Sequence, residues 1–231
     1  MDTGERILSP WLDMQRIKTI DALILSHPHA DHGRGFFYLA ENYRIRELWL
    51  PKQALEAPMG KALADLLQSR GAKIRHPLPE EEPLTFGNVR FRFLGPGEKA
   101  FHKANDASLV FRMETDTGSM LFTGDMEEEA EAHYLDHARS KLLSDVLQIP
   151  HHGSRTSSSK AFLQAVAPSH AVISCGAGNI YRYPSVQVMR RLEEGEIDVF
   201  RTDLGGAVSV RFKEDGVDME YCPIGIWDRL F

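Results

Sequence analysis

The sequence predicts a mixed α/β (α+β) protein in which two β-sheets pack face to face and helices cover both outer sides, an αββα sandwich. In residues 5–70, apolar strands alternate with amphipathic helices, which is the pattern of a parallel sheet with helices outside it. After an acidic, proline-rich segment at 77–83, strands follow one another through short turns, which is typical of an antiparallel sheet. With 231 residues, we expect a single domain over 1–231 whose two halves meet near 77–88.

Each element is predicted from its hydrophobic period and from the residues that bound it. Pro58 suits the first turn of a helix and Gly71 its end. The predicted helices are 5–17, 36–43, 58–70, 127–139, 160–166 and 185–194. The predicted strands are 20–26, 47–51, 89–94, 108–114, 119–122, 145–149, 171–174 and 197–201, followed by a hairpin of 207–212 and 217–221. The acidic run at 127–131 is predicted to form a solvated helix face.

Composition excludes several classes of protein. The two cysteines, Cys175 and Cys222, are too few for a disulfide framework. No apolar run approaches the roughly 20 residues that a membrane span needs, and the first residues lack the apolar core of a signal peptide. The formal charge of −6 counts against a protein that simply coats nucleic acid. It does not exclude a nuclease, because bound divalent ions add positive charge where a phosphate would sit.

Residues 27–32, His-Pro-His-Ala-Asp-His, place four metal-binding side chains at the end of the first predicted strand. Because alternate residues of a strand share a face, His27 and His29 should point the same way. Pro28 ends regular strand pairing, so Asp31 and His32 should fall on the turn that follows. Imidazole and carboxylate ligands of this kind suit zinc or a neighbouring transition metal.

Two later strands end in further candidate ligands. Asp125 follows Gly124 at a strand end, where its carboxylate could bridge two cations or cap the next helix, and the residues alone leave both open. His151 and His152 end another strand, and adjacent strand residues face opposite ways, so we expect one of them to bind metal. We favour His151 because it continues the strand directly, and we expect His152 to be a substrate contact or proton carrier.

Candidate substrate contacts lie beside these histidines and in a glycine-rich segment. Ser154 and Arg155 could hold a phosphate, although a structural salt bridge would explain Arg155 equally well. Residues 176–185 lead into a helix N-terminus, which favours anions, or they form merely a loop and a helix cap. Arg182 and Tyr183 could hold a phosphate and stack on a base, and core packing of Tyr183 is equally open.

Four segments carry a resemblance to a known family: residues 27–32, 105–110 (Asn-Asp-Ala-Ser-Leu-Val), 121–125 (Leu-Phe-Thr-Gly-Asp) and 149–155 (Ile-Pro-His-His-Gly-Ser-Arg). The sequence resembles the metallo-β-lactamase superfamily and, within it, the C-terminal hydrolase domain of DNA-uptake competence proteins of the ComEC type. The resemblance implies the αββα sandwich, two divalent metal ions (zinc or manganese) and a bridging role for Asp125. It also implies that Asn105 stands where related enzymes have a further histidine, which leaves the site near His27 and His29 with an open position, as catalytic sites have.

The sequence departs from this family in two places. Family members usually begin with a strand pair before the first helix, and those strands would already have passed at residues 2–6. We therefore expect a truncated gene model, a fragment, or a first sheet with an exposed edge that invites self-association. The family also often has Gly-His-Pro-Ser where this chain has Arg182, Tyr183, Pro184 and Ser185, so a catalytic role of that histidine is absent here.

The resemblance implies a metal-dependent phosphodiesterase or nuclease that acts on DNA, with single-stranded DNA as its substrate. The expected nucleophile is a water molecule activated by two metal ions. The expected catalytic residues are Asp31, Asp125 and His152. The expected metal ligands are His27, His29, Asp31, His32, Asp125 and His151. The expected substrate contacts are Asn105, Ser154, Arg155, Arg182 and Tyr183.

Two other functions are compatible with the same sequence. One is a metallohydrolase of a small phosphoester, thioester or lactone, because fold and metal alone do not select a substrate. The other is a degenerate module that binds DNA or a membrane partner without catalysis. In the competence setting, we expect a bacterial chain in the cytoplasm or at the membrane, with a membrane-embedded channel domain of the same system as a partner.

Overall fold

The first part of the chain forms a three-stranded parallel sheet with helices on one side, as its alternation of strands and helices predicts. The computed structural model describes residues 2–222. Strands β1 (Thr19–Ile24), β2 (Arg44–Trp49) and β3 (Lys73–Arg75) pair in that order, all in parallel. The helices are α1 (Ser9–Met14), which continues a π-helical segment (Gly4–Leu8), α2 (Ala30–Asn42) and α3 (Pro58–Ser69).

The second part forms a seven-stranded sheet that begins antiparallel and ends parallel. Its strands are β4 (Leu84–Phe86), β5 (Val89–Gly95), β6 (Val110–Glu114), β7 (Ser119–Phe122), β8 (Val146–Gln148), β9 (His170–Ile173) and β10 (Asp198–Arg201). They lie side by side in chain order, with antiparallel pairing from β4 to β7 and parallel pairing from β7 to β10. The helices are α4 (Glu128–His137), α5 (Lys160–Val166), α6 (Val186–Glu194) and α7 (Thr202–Gly205). A hairpin of β11 (Val208–Lys213) and β12 (Gly216–Tyr221) follows.

The two sheets pack face to face through an aromatic layer. Trp49 of β2 is fully buried, and its ring lies 5.4 Å from that of Phe91 and 5.6 Å from that of Phe93, both on β5. Its neighbour Leu48 is also fully buried but packs in the other direction, against the helices of the first sheet. Adjacent residues of one strand thus bury opposite faces, as a strand covered on both sides requires. The predicted αββα sandwich is confirmed.

Helix α2 begins at Ala30, whereas the sequence predicted a turn there and a helix from residue 36. The prediction treated Gly33 and Gly35 as turn residues. Gly35 is instead inside the helix, because the segment before α1 crosses it closely: a Cβ on Gly35 would lie 2.7 Å from the backbone nitrogen of Gly4. The glycine serves helix packing, and the turn prediction was wrong. Asp31 and His32 therefore lie in the first turn of a helix.

The acidic helix α4 is more than a solvated face. Glu131 is almost fully buried, and its carboxylate accepts hydrogen bonds from the backbone N–H groups of Ser158 and Ser159, the latter at 2.9 Å. Those two residues immediately precede α5, so this one side chain ties two helices together. Glu128, on the same turn of α4, is exposed.

Within residues 2–222, every helix is too short or too polar to cross a membrane.

We expect Glu131→Ala to lower the free energy of unfolding by about 2 to 4 kcal/mol, because it leaves two buried N–H groups without an acceptor. The matched change Glu128→Ala, on the exposed face of the same helix, should stay within about 0.5 kcal/mol of wild type. Urea unfolding followed by circular dichroism measures both. Equal effects of the two substitutions would contradict the tie between α4 and α5.

Candidate metal centre

The candidate ligands come together where three strands end at the seam of the two sheets. His27 follows β1, Asp125 follows β7, and His151 and His152 follow β8. Two backbone hydrogen bonds join these ends: Leu109 N–H donates to the Ser26 carbonyl at 2.8 Å, and His151 N–H donates to the Gly124 carbonyl at 3.2 Å. Each of these residues lies just beyond the strand that was predicted to carry it, in the turn that follows that strand.

Asp125 lies at the centre of the site. Its Oδ1 is 3.2 Å from His32 Nε2, and its Oδ2 is 3.5 Å from His152 Nε2 and 3.8 Å from His27 Nε2. The turn that delivers it requires glycine, because Gly124 has a φ of +55° and a Cβ there would lie 2.7 Å from Ser108 Oγ. Asp125 N–H donates to that same Oγ at 3.1 Å.

The alternative role of Asp125, capping the following helix, belongs to a different residue. Asp106 Oδ1 accepts hydrogen bonds from Glu127 N–H at 2.8 Å and from Ala130 N–H at 3.1 Å. The first turn of α4 is therefore satisfied from another segment. The carboxylate of Asp125 is left to face the histidines.

Four side chains form a group with the dimensions of a metal site. Asp31, His32, Asp125 and His152 each offer one ligand atom, and these atoms lie within 4.8 Å of one another. His32 Nε2, His152 Nε2 and Asp125 Oδ1 are buried without a hydrogen-bond partner among the described residues. Buried nitrogen lone pairs and a carboxylate oxygen that converge in this way are costly unless a cation is present. The residues therefore fit a divalent metal ion.

A second pair of nitrogen atoms lies beside this group, near Asp125 Oδ2. His27 Nε2 and His29 Nδ1 are 3.0 Å apart. Burial, together with the neighbouring His32, lowers the pKa of His27 to about 3, so its ring is neutral at physiological pH. A neutral imidazole is the form that binds metal. These two histidines and the shared Asp125 offer a second set of ligands.

His152, rather than His151, belongs to the four-residue group. The preference for His151 assumed that the strand continues to that residue, which is wrong, because β8 ends at Gln148 and both histidines have left-handed φ angles of 51° and 56°. His152 Nδ1–H donates to the Ser174 carbonyl at 2.6 Å, which leaves Nε2 to face Asp31 and Asp125. Such a hydrogen bond on the far nitrogen is typical of metal-binding histidines.

His151 occupies the space between two carboxylates. Its Nε2 is 3.9 Å from Asp125 Oδ2, and its Nδ1 is 3.8 Å from Glu127 Oε1. Glu127 is itself held by Lys103 Nζ at 2.7 Å and by Asn105 Nδ2 at 3.0 Å. His151 therefore faces the same centre as His152 but from the side of Asn105.

The two carboxylates and the neighbouring histidines shift one another's pKa values. The close approach of His152 lowers the pKa of Asp31 well below its usual range. Burial alone would raise the pKa of Asp125, but the neighbouring His32 and His152 outweigh burial and lower it. Burial would likewise lower the pKa of His152, yet the contact with Asp31 and the charge of Asp125 raise it to about 8. The centre thus favours ionised carboxylates that attract positive charge.

The centre opens into a cleft of about 1160 Å³. Of the predicted substrate contacts, Asn105 and Tyr183 line this cleft, and Asn105 Oδ1 is a buried acceptor without a partner among residues 2–222. Ser154, Arg155 and Arg182 do not line it. Ser154 is buried and bonded to Thr156 Oγ1 at 2.9 Å, because the left-handed turn at 151–153 carries the chain away from the cleft.

The glycine-rich segment ends in an ordinary helix cap. Ser185 caps α6 with its own side chain, which accepts a hydrogen bond from Val188 N–H at 3.3 Å. The segment is a loop that ends in a helix cap, and its contact with substrate stays a prediction. His102 is a surface residue paired with Glu129 at 3.0 Å and takes no part in the centre.

A sequence model of the metallo-β-lactamase superfamily matches residues 4–177. The chain belongs to the metallo-β-lactamase superfamily. Its candidate site of aspartate and histidine residues accords with the divalent metals that this superfamily usually binds.

This metallo-β-lactamase-superfamily chain is similar to competence proteins. It is 32% identical over 210 residues to ComE operon protein 3 of Bacillus subtilis (91% of this chain, 27% of the relative). It is 33% identical over 208 residues to competence protein ComA of Neisseria gonorrhoeae (90% of this chain, 28% of the relative). It is 30% identical over 217 residues to recombination protein 2 of Haemophilus influenzae (94% of this chain, 25% of the relative). The resemblance to ComEC-type proteins is confirmed, and the chain spans about a quarter of the length of these relatives.

Solved structures share the fold at low sequence identity. The diiron β-hydroxylase CmlA of Streptomyces venezuelae superposes with a TM-score of 0.55 at 13% identity, over 80% of this chain and 44% of CmlA. Yeast PDE1 in its unliganded form superposes with a TM-score of 0.51 at 14% identity, over 79% of this chain and 66% of PDE1. Both similarities concern the fold alone.

Sequence reasoning missed several residues of the cleft. Arg6 and Ile7 come from the first helical segment and Tyr181 from the glycine-rich loop, and all three line the cleft. Only Tyr181 left a signal, as a large aromatic residue in a loop of small residues. Arg6 left none, because its place depends on how the first helical segment crosses α2.

We expect His152→Ala to weaken metal binding by more than about 100-fold, since even the loss of a residue that only orients a ligand costs 10- to 100-fold. His151→Ala should change the affinity by less than about ten-fold. Titration of chelator-treated protein with zinc or manganese by calorimetry, together with the metal content after dialysis, measures both. The reverse order of the two variants would make His151 the ligand.

Proposed function

We propose that this chain is a metal-dependent phosphodiesterase that hydrolyses DNA. The observation that carries the proposal is the group of Asp31, His32, Asp125 and His152, three of which line an open cleft. Three of its ligand atoms are buried and have no hydrogen-bond partner among the described residues. Membership of the metallo-β-lactamase superfamily supports a hydrolase. The similarity to competence proteins supports DNA as the substrate.

Two ligand sets would hold the metal ions. Asp31, His32 and His152 would hold one ion, His27 and His29 the other, and Asp125 would bridge them. Divalent cations bound here would lower the pKa of a water molecule and neutralise charge on a phosphoryl oxygen. With Asn105 in place of a further histidine, the site at His27 and His29 keeps a position for water or substrate.

The surrounding residues hold these ligands in place. The Ser174 carbonyl fixes the ring of His152. Ser26 Oγ is 3.2 Å from the Nδ1 atoms of both His27 and His32, so one hydroxyl steadies two rings whose Nε2 atoms face Asp125. Such orientation keeps the ligand atoms aimed at the centre before substrate arrives.

Asn105 and His151 would contact the phosphodiester. Both line the cleft, and Glu127 connects them. The ring of His151 lies between Asp125 and Glu127 at the cleft, where it would contact a phosphate oxygen of the substrate. His151 is thus the substrate-facing histidine of the pair in this proposal, and His152 is the ligand.

The biological setting follows from the relatives. As part of a DNA-uptake system in a bacterium, the hydrolase would work in the cytoplasm or at the membrane, beside a membrane-embedded channel domain. Strand β1 pairs with β2 on one side only among the described strands. An open strand edge of this kind is also a place for self-association or for pairing with a neighbouring domain.

Two other functions remain as outcomes of the test. The ligand set is intact, which speaks against a degenerate module that only binds. A hydrolase of small phosphoesters, thioesters or lactones would use the same centre, because fold and metal do not select the substrate.

We expect metal-loaded protein to cleave labelled single-stranded DNA, and chelator to abolish cleavage. Asp31→Asn should lower the rate at least about 100-fold, because it removes a charged group at the reacting centre. Asp21→Asn is the matched control: Asp21 is a half-exposed carboxylate on β1 that pairs with Arg46 at 2.8 Å, away from the cleft. Product analysis on a denaturing gel measures all three proteins.

Bis-p-nitrophenyl phosphate and a thioester are assayed in parallel. Turnover of either small substrate without DNA cleavage would favour the small-ester hydrolase. Tight DNA binding with no turnover of any substrate would favour the non-catalytic module. DNA cleavage that Asp31→Asn leaves intact would contradict the proposed centre.

A further inference from the structure

Two tyrosines form a stack that leads from the metal centre to the rim of the cleft. The rings of Tyr181 and Tyr183 are nearly parallel, at 19°, with centroids 5.5 Å apart. The ring of Tyr183 is in turn nearly parallel to that of His152, at 23°, with centroids 6.5 Å apart. Three planar groups thus follow one another outward from a candidate ligand, and Tyr181 is the outermost.

The loop that carries the stack is held in one conformation by a single amide. Asn179 Nδ2 donates to the carbonyls of Gly176 at 3.0 Å and of Tyr183 at 2.8 Å. Asn179 Oδ1 accepts from Tyr183 N–H at 2.8 Å. These bonds fix the backbone on both sides of Tyr181, so the loop loses little conformational entropy when it binds a ligand.

Tyr181 leaves most of its ring open to solvent. It is 70% exposed, although one face covers Tyr183, so the other face is free. Tyr181 also lines the metal cleft, whereas its neighbour Ile180, 86% exposed, does not. A free aromatic face on a rigid loop beside a catalytic cleft indicates a binding surface.

Positive charge accompanies the stack. Arg6 lines the same cleft from the first helical segment, and Arg182, which is exposed and outside the cleft lining, lies between the two tyrosines in the sequence. Neither arginine forms a salt bridge with any residue in 2–222. Flat aromatic faces flanked by cations are the combination with which proteins hold unpaired nucleic acid strands.

We propose that the free face of Tyr181 stacks on an unpaired nucleobase and thereby selects single-stranded over duplex nucleic acid. The inference rests on the proposed function and names the element that determines its specificity. A duplex hides the faces of its bases within the helix, so only an unpaired base reaches Tyr181 while its strand continues to the metal centre. Because every base has such a face, the selection is for strandedness and not for sequence.

The test measures binding by the metal-loaded protein, with a fluorescent oligothymidylate whose phosphorothioate linkages resist hydrolysis. A second strand of equal length and charge carries abasic sites in place of the bases. We expect Tyr181→Ala to bind the oligothymidylate about ten-fold or more weakly, in line with the value of one base–aromatic stack. The abasic strand should bind wild type and Tyr181→Ala alike.

Three further variants separate stacking from other effects. Tyr181→Phe keeps the ring and should stay within about two-fold of wild type, whereas Tyr181→Leu keeps apolar area without a planar face and should behave like Tyr181→Ala. Ile180→Ala removes an exposed apolar side chain from the same loop outside the cleft, and its affinity should equal that of wild type.

Equal weakening of base-containing and abasic strands by Tyr181→Ala would overturn the stacking role, as would unchanged affinity or a wild-type protein that binds neither strand. The proposed function is tested separately, by assaying cleavage of ordinary DNA. DNA cleavage with unchanged affinity in Tyr181→Ala overturns the stack alone. Binding that depends on Tyr181, without cleavage of ordinary DNA, supports the stack and overturns the phosphodiesterase.

Discussion

The carboxylate of Asp125 is the group on which the arrangement of this protein depends. It is buried at the seam of the two sheets, and the Nε2 atoms of His27, His32 and His152 all lie within 4 Å of it. Taking a charged carboxylate out of water costs several kcal/mol unless other charges or hydrogen bonds compensate. The proton that His152 holds below its raised pKa of about 8 compensates part of this charge, and a cation bound between the rings and the carboxylate would compensate the rest. The seam is therefore built for positive charge.

The carboxylate of Asp125 faces the histidines because other residues make the hydrogen bonds at the start of α4 that it could otherwise make. Asp106 satisfies the N–H groups at the start of α4, and Ser108 Oγ accepts the N–H of Asp125 itself. Both acceptors come from the loop before β6, which also pairs with the end of β1 through Leu109 and Ser26. One short segment thus joins the two sheets, caps a helix and positions the central ligand.

The sequence predicted the features that depend on neighbouring residues better than those that depend on contacts between distant segments. The proximity of His27 and His29 was predicted, since their ring nitrogens are 3.0 Å apart, but strand alternation is not its cause, because β1 ends at Ile24 and both residues lie in the turn before α2. The choice between His151 and His152 depended on two left-handed φ angles after β8, which tertiary contacts impose and periodicity does not encode. Glu131 looked like a solvated charge because its partners, Ser158 and Ser159, are distant in the sequence. The place of Arg6 in the cleft was missed for the same reason, because it depends on a contact between segments that are distant in the sequence.

The structure separates the chemistry of this protein from its choice of substrate. The ligands lie at strand ends, held by the sheets, whereas Tyr181 and Tyr183 lie on a loop braced mainly by Asn179. The ring of Tyr183 contacts both His151 and His152, so this residue connects the loop to the metal centre. A fold that binds metal in this way can therefore serve different substrates. In the proposal made above, the loop at 176–183 contributes to the choice of substrate through Tyr181, whereas the ligand set supplies the metal centre.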